Sequence, residues 1–214
     1  MDDVIAPARI YRMKRCIDAV AAIALFAMLS PVLAAAAVAV AISTRGPVIF
    51  RQTRVGLGGE RFTLYKFRTM HANSDDRGHR AYVEQLILGD APDDGAGVYK
   101  LTADPRVTRV GRVLRRYSID ELPQLWNVVR GEMSLVGPRP ATPHEVALYD
   151  PRALARLAVR PGLTGLWQVG GRCRLTFDEM IDLDIAYVRD AGLVLDLRTL
   201  AATPAAVAAA TGAA

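Results

Sequence analysis

Cysteine is nearly absent. Cys16 and Cys173 are the two in 214 residues, which excludes a disulfide scaffold and any Cys-rich zinc site. Histidine is as scarce: His71, His79 and His144 are scattered, so a His-based metal cage is not expected. Lysine is limited to Lys14, Lys66 and Lys100, yet 27 basic residues outweigh 22 acidic ones and the net charge is +5. The basic excess is therefore arginine. Arg grips phosphate as a bidentate fork where Lys offers a point charge, which points to polyanionic partners: nucleic acid, phospholipid or a nucleotide. Codon bias in an Ala- and Arg-rich genome gives the same composition without function. Disorder is excluded by 51% hydrophobic and 23% charged residues. The length suits one domain with room for an appendage.

Charge is missing from one long stretch. Ala19 to Ile42 is 24 residues without a charged side chain, and a straight helix of that length at ~1.5 Å per residue reaches roughly 36 Å, enough to span a bilayer core. The run is too long for a cleaved signal peptide. Ser30-Pro31 interrupts it. Proline removes a backbone donor and predicts a kink, and the adjacent serine can re-satisfy the freed carbonyl. Arg9, Arg12, Lys14 and Arg15 precede the run, and Arg45, Arg51 and Arg54 follow it. Positive flanks stay cytoplasmic, so a helix that enters, breaks at Ser30-Pro31 and returns satisfies both. A Pro-kinked ordinary span and a buried core helix are the competing readings. Lys14 and Asp18 are i,i+4 neighbours, and Lys14, Arg15 and Asp18 are placed at the level of lipid headgroups.

The rest predicts an α+β domain, mostly helical. Val48–Arg51 and Arg61–Arg68 alternate as the strands of a small hairpin, joined through Gly56, Gly58 and Gly59. No helix with an apolar stripe follows these glycines, so they are not a dinucleotide fingerprint. A short helix is expected over Ala81–Leu88 and a mobile loop over Gly89–Gly97. Val107, Val110, Val113 and Leu114 give a helical face ringed by arginines. Further helices are expected over Leu122–Val129, Pro143–Tyr149, Pro151–Val159, Thr176–Val188 and Val194–Val207, and a strand over Met133–Val136. Arg160-Pro161-Gly162 breaks the chain.

The most informative stretch is Arg115-Arg116-Tyr117-Ser118-Ile119-Asp120-Glu121-Leu122-Pro123. Ser118 with Glu121 has capping-box spacing, but Pro123 would then be the fifth helical residue and lose a bond. With Asp120 as N-cap, Pro123 falls in the first turn, where nothing is lost. Asp120 and Glu121 are thus expected at a helix start, a favourable place for phosphate. Such a pair can be a simple cap, a Mg²⁺ site beside substrate phosphates, or a source of a carboxylate nucleophile. Spacing alone does not choose.

The sequence resembles the bacterial sugar transferases of the monotopic polyprenyl-phosphate phosphoglycosyl transferase superfamily, from about Lys14 to Leu200. The resemblance is carried by Lys14-Arg15 with Asp18, Ser30-Pro31, Gly46 to Phe50, Arg54-Val55-Gly56 and Lys66-Phe67-Arg68-Thr69-Met70. It continues through Ser118 to Gln124, Arg130 to Ser134, Val136 to Pro140, Arg160 to Gly165, Trp167-Gln168-Val169 and Gly171-Arg172. The nearest likeness is to small exopolysaccharide-priming enzymes.

The resemblance implies a membrane enzyme with a re-entrant helix and interfacial helices. It implies transfer of a sugar-1-phosphate from a UDP-sugar to polyprenyl phosphate, undecaprenyl phosphate in particular, with UMP released. Asp120 would be the nucleophile, and Glu121 would help hold Mg²⁺ (or Mn²⁺) or manage a proton. Lys66, Arg68, Arg116, Arg139, Arg160, Arg172 and Gln168 would bind phosphate and nucleotide. The expected place is the bacterial inner membrane, with residues 46–200 as catalytic domain on the cytoplasmic face, 1–45 as membrane region and 201–214 as an Ala-rich tail. Expected partners are the UDP-sugar, the polyprenyl phosphate, membrane lipid and, in a homo-oligomer, a second copy, with no nucleic acid. Two departures stand out: Cys173 replaces the family's Asn, and the family's aromatics near Ala191-Gly192 are missing. The alternatives are a membrane-bound hydrolase of nucleotide sugars or lipid diphosphates, and a non-enzymatic adapter for anionic lipid.

Overall fold

Two apolar helices meet at the Ser30-Pro31 break in the computed structural model, which describes residues 8–71, 77–88, 104–170 and 175–209. Helix α1 (Ala8–Met28) and helix α2 (Ser30–Ser43) are bent by 63°. Pro31 lies in the first turn of α2, where a missing N–H costs nothing. The carbonyl this proline orphans belongs to Ala27, and the Ser30 hydroxyl donates to it at 2.8 Å. No single helix among the described residues is long and apolar enough to cross a membrane; the bent pair passes that test together.

The chain then forms a hairpin of β1 (Ile49–Val55) and β2 (Arg61–Phe67), with Ile49 opposite Phe67 and Val55 opposite Arg61. The first strand is longer than its alternation predicts. Helix α3 (Arg77–Leu88) begins earlier than expected, and the expected loop Gly89–Gly97 lies outside the described residues. Helix α4 (Arg109–Arg116) is capped by Thr108, whose hydroxyl accepts from the Gly111 N–H. A 3₁₀ turn, Ile119–Gln124, runs into α5 (Leu125–Arg130).

Strand β3 (Ser134–Val136) pairs in parallel with β4 (Gly162–Thr164), which corrects the reading of Arg160-Pro161-Gly162 as a simple break. The strands close because Gly137 and Gly162 have no side chains: a Cβ on Gly162 would sit 2.1 Å from the Gly137 nitrogen. Between these strands lie α6 (Pro143–Ala147) and α7 (Pro151–Leu154). After them come α8 (Leu166–Gly170), α9 (Phe177–Asp190) and α10 (Leu193–Ala208). Helix α8 is not expected from the sequence, and α10 continues past residue 201. The α+β, mostly helical class holds, with two two-stranded sheets among the described residues.

Packing explains the arrangement. Ala22 of α1 enters a core with Leu64, Leu125, Val128, Met133 and Tyr187, while Ala36 and Val40 of α2 pack on Phe67 and Leu114. The opposite faces of α1 and α2 stay bare: Val20 is 68% exposed and Ile42 80%. These are not the buried core helices of the competing reading.

Candidate active site

The 3₁₀ turn puts Asp120 and Glu121 in its first turn, as expected, but by a different local route. Asp120 is not the N-cap. That position belongs to Ser118, which adopts a left-handed conformation (φ 54°) and makes no side-chain cap. Pro123 is therefore the fifth residue of the element, and the tighter i→i+3 bonding begins with the Glu121 N–H donating to the Ser118 carbonyl at 3.2 Å. Asp120 is buried.

Strand β2 lies beneath this turn and supplies Lys66. Its Nζ donates to Glu121 Oε1 at 2.9 Å. Burial lowers the Lys66 pKa most, Arg139 and Arg54 lower it further, and Glu121 and Asp120 pull it up. Together with Arg54, Gln124, Arg139, Pro140 and Gln168, this pair walls a cavity of about 230 Å³. Arg54 is buried, donates to the Pro140 carbonyl at 2.8 Å and to Gln52, and stands 3.9 Å from Glu145. Burial, then the charge of Arg139, brings it down to about 10. Three cations thus converge on a pocket whose carboxylate, Glu121, is already answered by one of them.

Arg139 is held from behind. Arg156 donates to its carbonyl at 3.1 Å and to the Tyr149 hydroxyl at 2.8 Å. Arg156 is itself ion-paired with the buried Asp184. Burial pushes the Asp184 carboxyl up to about 6 against the pull of Arg156, and pushes the Tyr149 phenol up to about 12.

The remaining expected residues scatter. Arg116 is exposed and lies over the Tyr117 ring, 5.8 Å from its centroid. Its neighbour Arg115 faces inward, donates to Thr69 Oγ1 at 2.9 Å and feels the charge of Asp120. Arg68 is buried and donates to the carbonyl and hydroxyl of Thr44 at the end of α2. Gln168 lines the cavity and donates to the Leu163 carbonyl at 3.2 Å. Arg160 turns away, its Nε donating to the Gly131 carbonyl at 2.8 Å. Arg172 lies outside the described residues. Ser30 and Pro31 form the helix break.

Lys14 and Asp18 form their expected ion pair at 3.5 Å, but both also face inward. Lys14 reaches Asp196 of α10 at 2.6 Å, and Asp18 accepts from the Ser134 hydroxyl at 2.7 Å. Arg15 donates to the Val129 carbonyl at 2.6 Å. Arg54, Gln124, Arg115 and the Arg156–Asp184 pair are the contributors the sequence reading did not assign to the site. Arg54 was already in view as part of Arg54-Val55-Gly56.

Among the described residues, no group of three or more His, Cys, Asp or Glu gathers to hold a metal. The adjacent carboxylates of Asp120 and Glu121, with one Glu121 oxygen on Lys66, suit Mg²⁺, which takes one or two carboxylates and draws its other ligands from water and phosphate.

Comparison with known proteins identifies the family. Residues 9–210 match the family described as "Bacterial sugar transferase". The exopolysaccharide production protein ExoY of Rhizobium meliloti is 42% identical over 186 residues, 86% of this chain and 80% of that protein. The UDP-glucose:undecaprenyl-phosphate glucose-1-phosphate transferase of Caulobacter vibrioides is 45% identical over 198 residues, 89% of this chain and 67% of its own. The undecaprenyl-phosphate galactose phosphotransferase of Salmonella typhimurium is 42% identical over 157 residues, 72% of this chain and 32% of its own. With nearly its whole length matched, the chain belongs to the bacterial sugar transferase family and is an enzyme of that class.

Proposed function

We propose that this protein moves a hexose-1-phosphate from a UDP-sugar to undecaprenyl phosphate, the first step in building a lipid-linked glycan. The observation that carries the reading is the Lys66-paired Glu121 on a cavity walled by Arg54 and Arg139, next in the chain to the buried Asp120, whose charge acts on the same Lys66. The names of the Caulobacter and Salmonella relatives supply the substrate classes.

In this reading an Asp120 carboxylate oxygen attacks the β-phosphorus of the UDP-sugar. A P–O bond forms, the bond from that phosphorus to the bridging oxygen breaks, and UMP leaves with the electron pair. An oxygen of the lipid phosphate then attacks the same phosphorus and releases Asp120. Arg54, Lys66 and Arg139 offset the charge of the diphosphate. Asp120 and Glu121 would hold Mg²⁺, which supplies charge neutralisation at the phosphoryl oxygens.

The bare apolar faces of α1 and α2 support membrane embedding. The 63° bend and the basic flanks support a re-entrant pair with both ends on the cytoplasmic side of the inner membrane. Asp120→Asn should abolish turnover, and also abolish exchange of labelled UMP into UDP-sugar without lipid. Substantial exchange in that variant removes Asp120 as nucleophile. Sustained UMP release by the wild type without any lipid acceptor would instead mean hydrolysis.

A further inference from the structure

A second cavity, of about 510 Å³ and open at the surface, lies where α1, β3, α9 and the start of α10 meet. It is lined by Lys14, Arg15, Asp18, Arg160, Tyr187 and the segment Ala191-Gly192-Leu193, among others. The nucleotide cavity has different lining residues: none is shared between the two.

Its cations are arranged unequally. Lys14 is used up between Asp18 and Asp196. Arg15 spends Nη2 on the Val129 carbonyl, while its Nη1 is buried and has no hydrogen-bond partner. A buried guanidinium N–H left without an acceptor is costly and calls for one. Arg160 spends Nε on Gly131, and its two terminal nitrogens have no protein partner among the described residues. Arg15 and Arg160 both lie against Gly131, which ends α5 in a left-handed conformation (φ 84°). A Cβ there would come within 2.8 Å of Arg15 Nε. The N-terminus of α10 also borders the cavity, with Gly192 at the cap position and no side-chain cap. It adds partial positive charge.

The charge balance selects the ligand. Lys14, Arg15 and Arg160 against Asp18 and Asp196 leave one net positive charge, which matches a phosphodiester better than the doubly charged phosphate of a polyprenyl phosphate. The rest of the wall is apolar, with Val159, Ala191 and Leu193. The helices on either side carry exposed Met13 and Ile17 on α1 and Val194 and Leu197 on α10. Such a site takes a charged head and the first methylenes of a chain that continues along those faces.

We infer that this cavity binds an anionic phospholipid of the bilayer, with its phosphodiester on Arg15 and Arg160, and so fastens α1 to α10. The inference rests on the membrane placement proposed above. The full-length protein, purified in detergent and stripped of lipid, is titrated with dioleoylphosphatidylglycerol, and retained lipid is read by native mass spectrometry. Parallel arms use dioleoylphosphatidylcholine, undecaprenyl phosphate and inorganic phosphate. Phosphatidylglycerol should be retained in preference to all three. Its affinity should fall at least about tenfold in Arg15→Gln, the loss of one charge-assisted hydrogen bond. It should fall similarly in Ala191→Phe, which fills the cavity without touching a charge. Arg61→Gln, an exposed hairpin charge, should bind as wild type does. Equal retention in Arg15→Gln and Ala191→Phe overturns the proposal. So does displacement by inorganic phosphate, which would mean a bare anion site, or tighter retention of undecaprenyl phosphate, which would make it an acceptor site. Vesicle flotation and UMP release by the same wild-type preparation separate the readings. If both persist while phosphatidylglycerol is not retained, the lipid site alone fails.

Discussion

Lys66 Nζ stands 2.9 Å from Glu121 Oε1, and this pair ties the hairpin to the turn that carries Asp120. Burial already weakens the hold of Lys66 on its proton, and Glu121 is its strongest compensation. A cation so placed is preorganised for a phosphate. Lys66→Met should lower kcat/KM for the UDP-sugar by about 10²- to 10³-fold, the usual weight of one preorganised electrostatic contact. Thermal melting should move by only a few degrees, because methionine fills much of the space of the Lys66 stem and Glu121 keeps a quarter of its side chain in water. A loss of activity that tracks a collapse in melting temperature would make Lys66 structural.

Metal dependence follows from the charges. Two unit charges at ~4 Å in an effective dielectric of ~20 repel by roughly 4 kcal/mol, so a carboxylate does not approach a diphosphate unaided. UMP release should vanish in excess EDTA and return with Mg²⁺ or Mn²⁺. Glu121→Gln should raise the Mg²⁺ concentration for half-maximal rate by about tenfold, besides lowering the rate. Full activity in EDTA with no bound metal would put the whole electrostatic load on the arginines.

The break between α1 and α2 can be tested in both directions. Ser30→Ala removes the donor to the Ala27 carbonyl and should destabilise the bend by about 1 kcal/mol. Pro31→Ala restores a backbone N–H to that same carbonyl and should favour a straighter helix. With single cysteines at positions 2 and 51 in a cysteine-free background, outside labelling of intact cells should reach neither in the wild type. In Pro31→Ala, labelling at position 2 should appear. Labelling at position 2 in the wild type would mean an ordinary span.

Asp184 gives a pH signature. Its carboxyl is pushed by burial up to about 6, above its ordinary 3.8, so the native state holds this proton more tightly than the unfolded chain does. Stability from this group is therefore largest at low pH and declines as pH rises through 4 to 6. The full swing is about 3 kcal/mol. Asp184→Asn cannot titrate. The wild type should gain stability relative to that variant between ~pH 7 and ~pH 4, by roughly 6–12 °C in melting temperature. Parallel pH profiles for the two proteins would show that Asp184 does not titrate in this window.

What the sequence made legible is mostly local. The Ser30-Pro31 break, the hairpin and the acidic pair at a helix start each depend on a few neighbouring residues. The parallel β3–β4 pairing was not legible, because it depends on Gly137 meeting Gly162 across an intervening pair of helices. Arg115 and Arg116 differ by one step, about 100° around a helix, and the sequence alone does not say which faces Asp120. The N-cap assignment went to Asp120 because an α-helix was assumed. The turn instead starts from a left-handed Ser118 and carries Pro123 as its fifth residue in spite of the missing N–H. Arg160 reads as a phosphate ligand from its motif, but its Nε bonds the Gly131 carbonyl and it lines the other cavity.

The Lys14–Asp196 ion pair joins residues 182 positions apart in the chain. At 5–20 residues per second, ribosomal synthesis separates the two by roughly 10–40 s. During that interval Lys14 has Asp18 beside it but not its stronger partner. In the membrane placement proposed above, it presents its charge at the moment when the orientation of the emerging apolar segment is set. Only when α10 is complete does the same ammonium become an internal tie. In that proposed placement, one residue thus serves in sequence, first as a topological signal and then as a tie between α1 and α10.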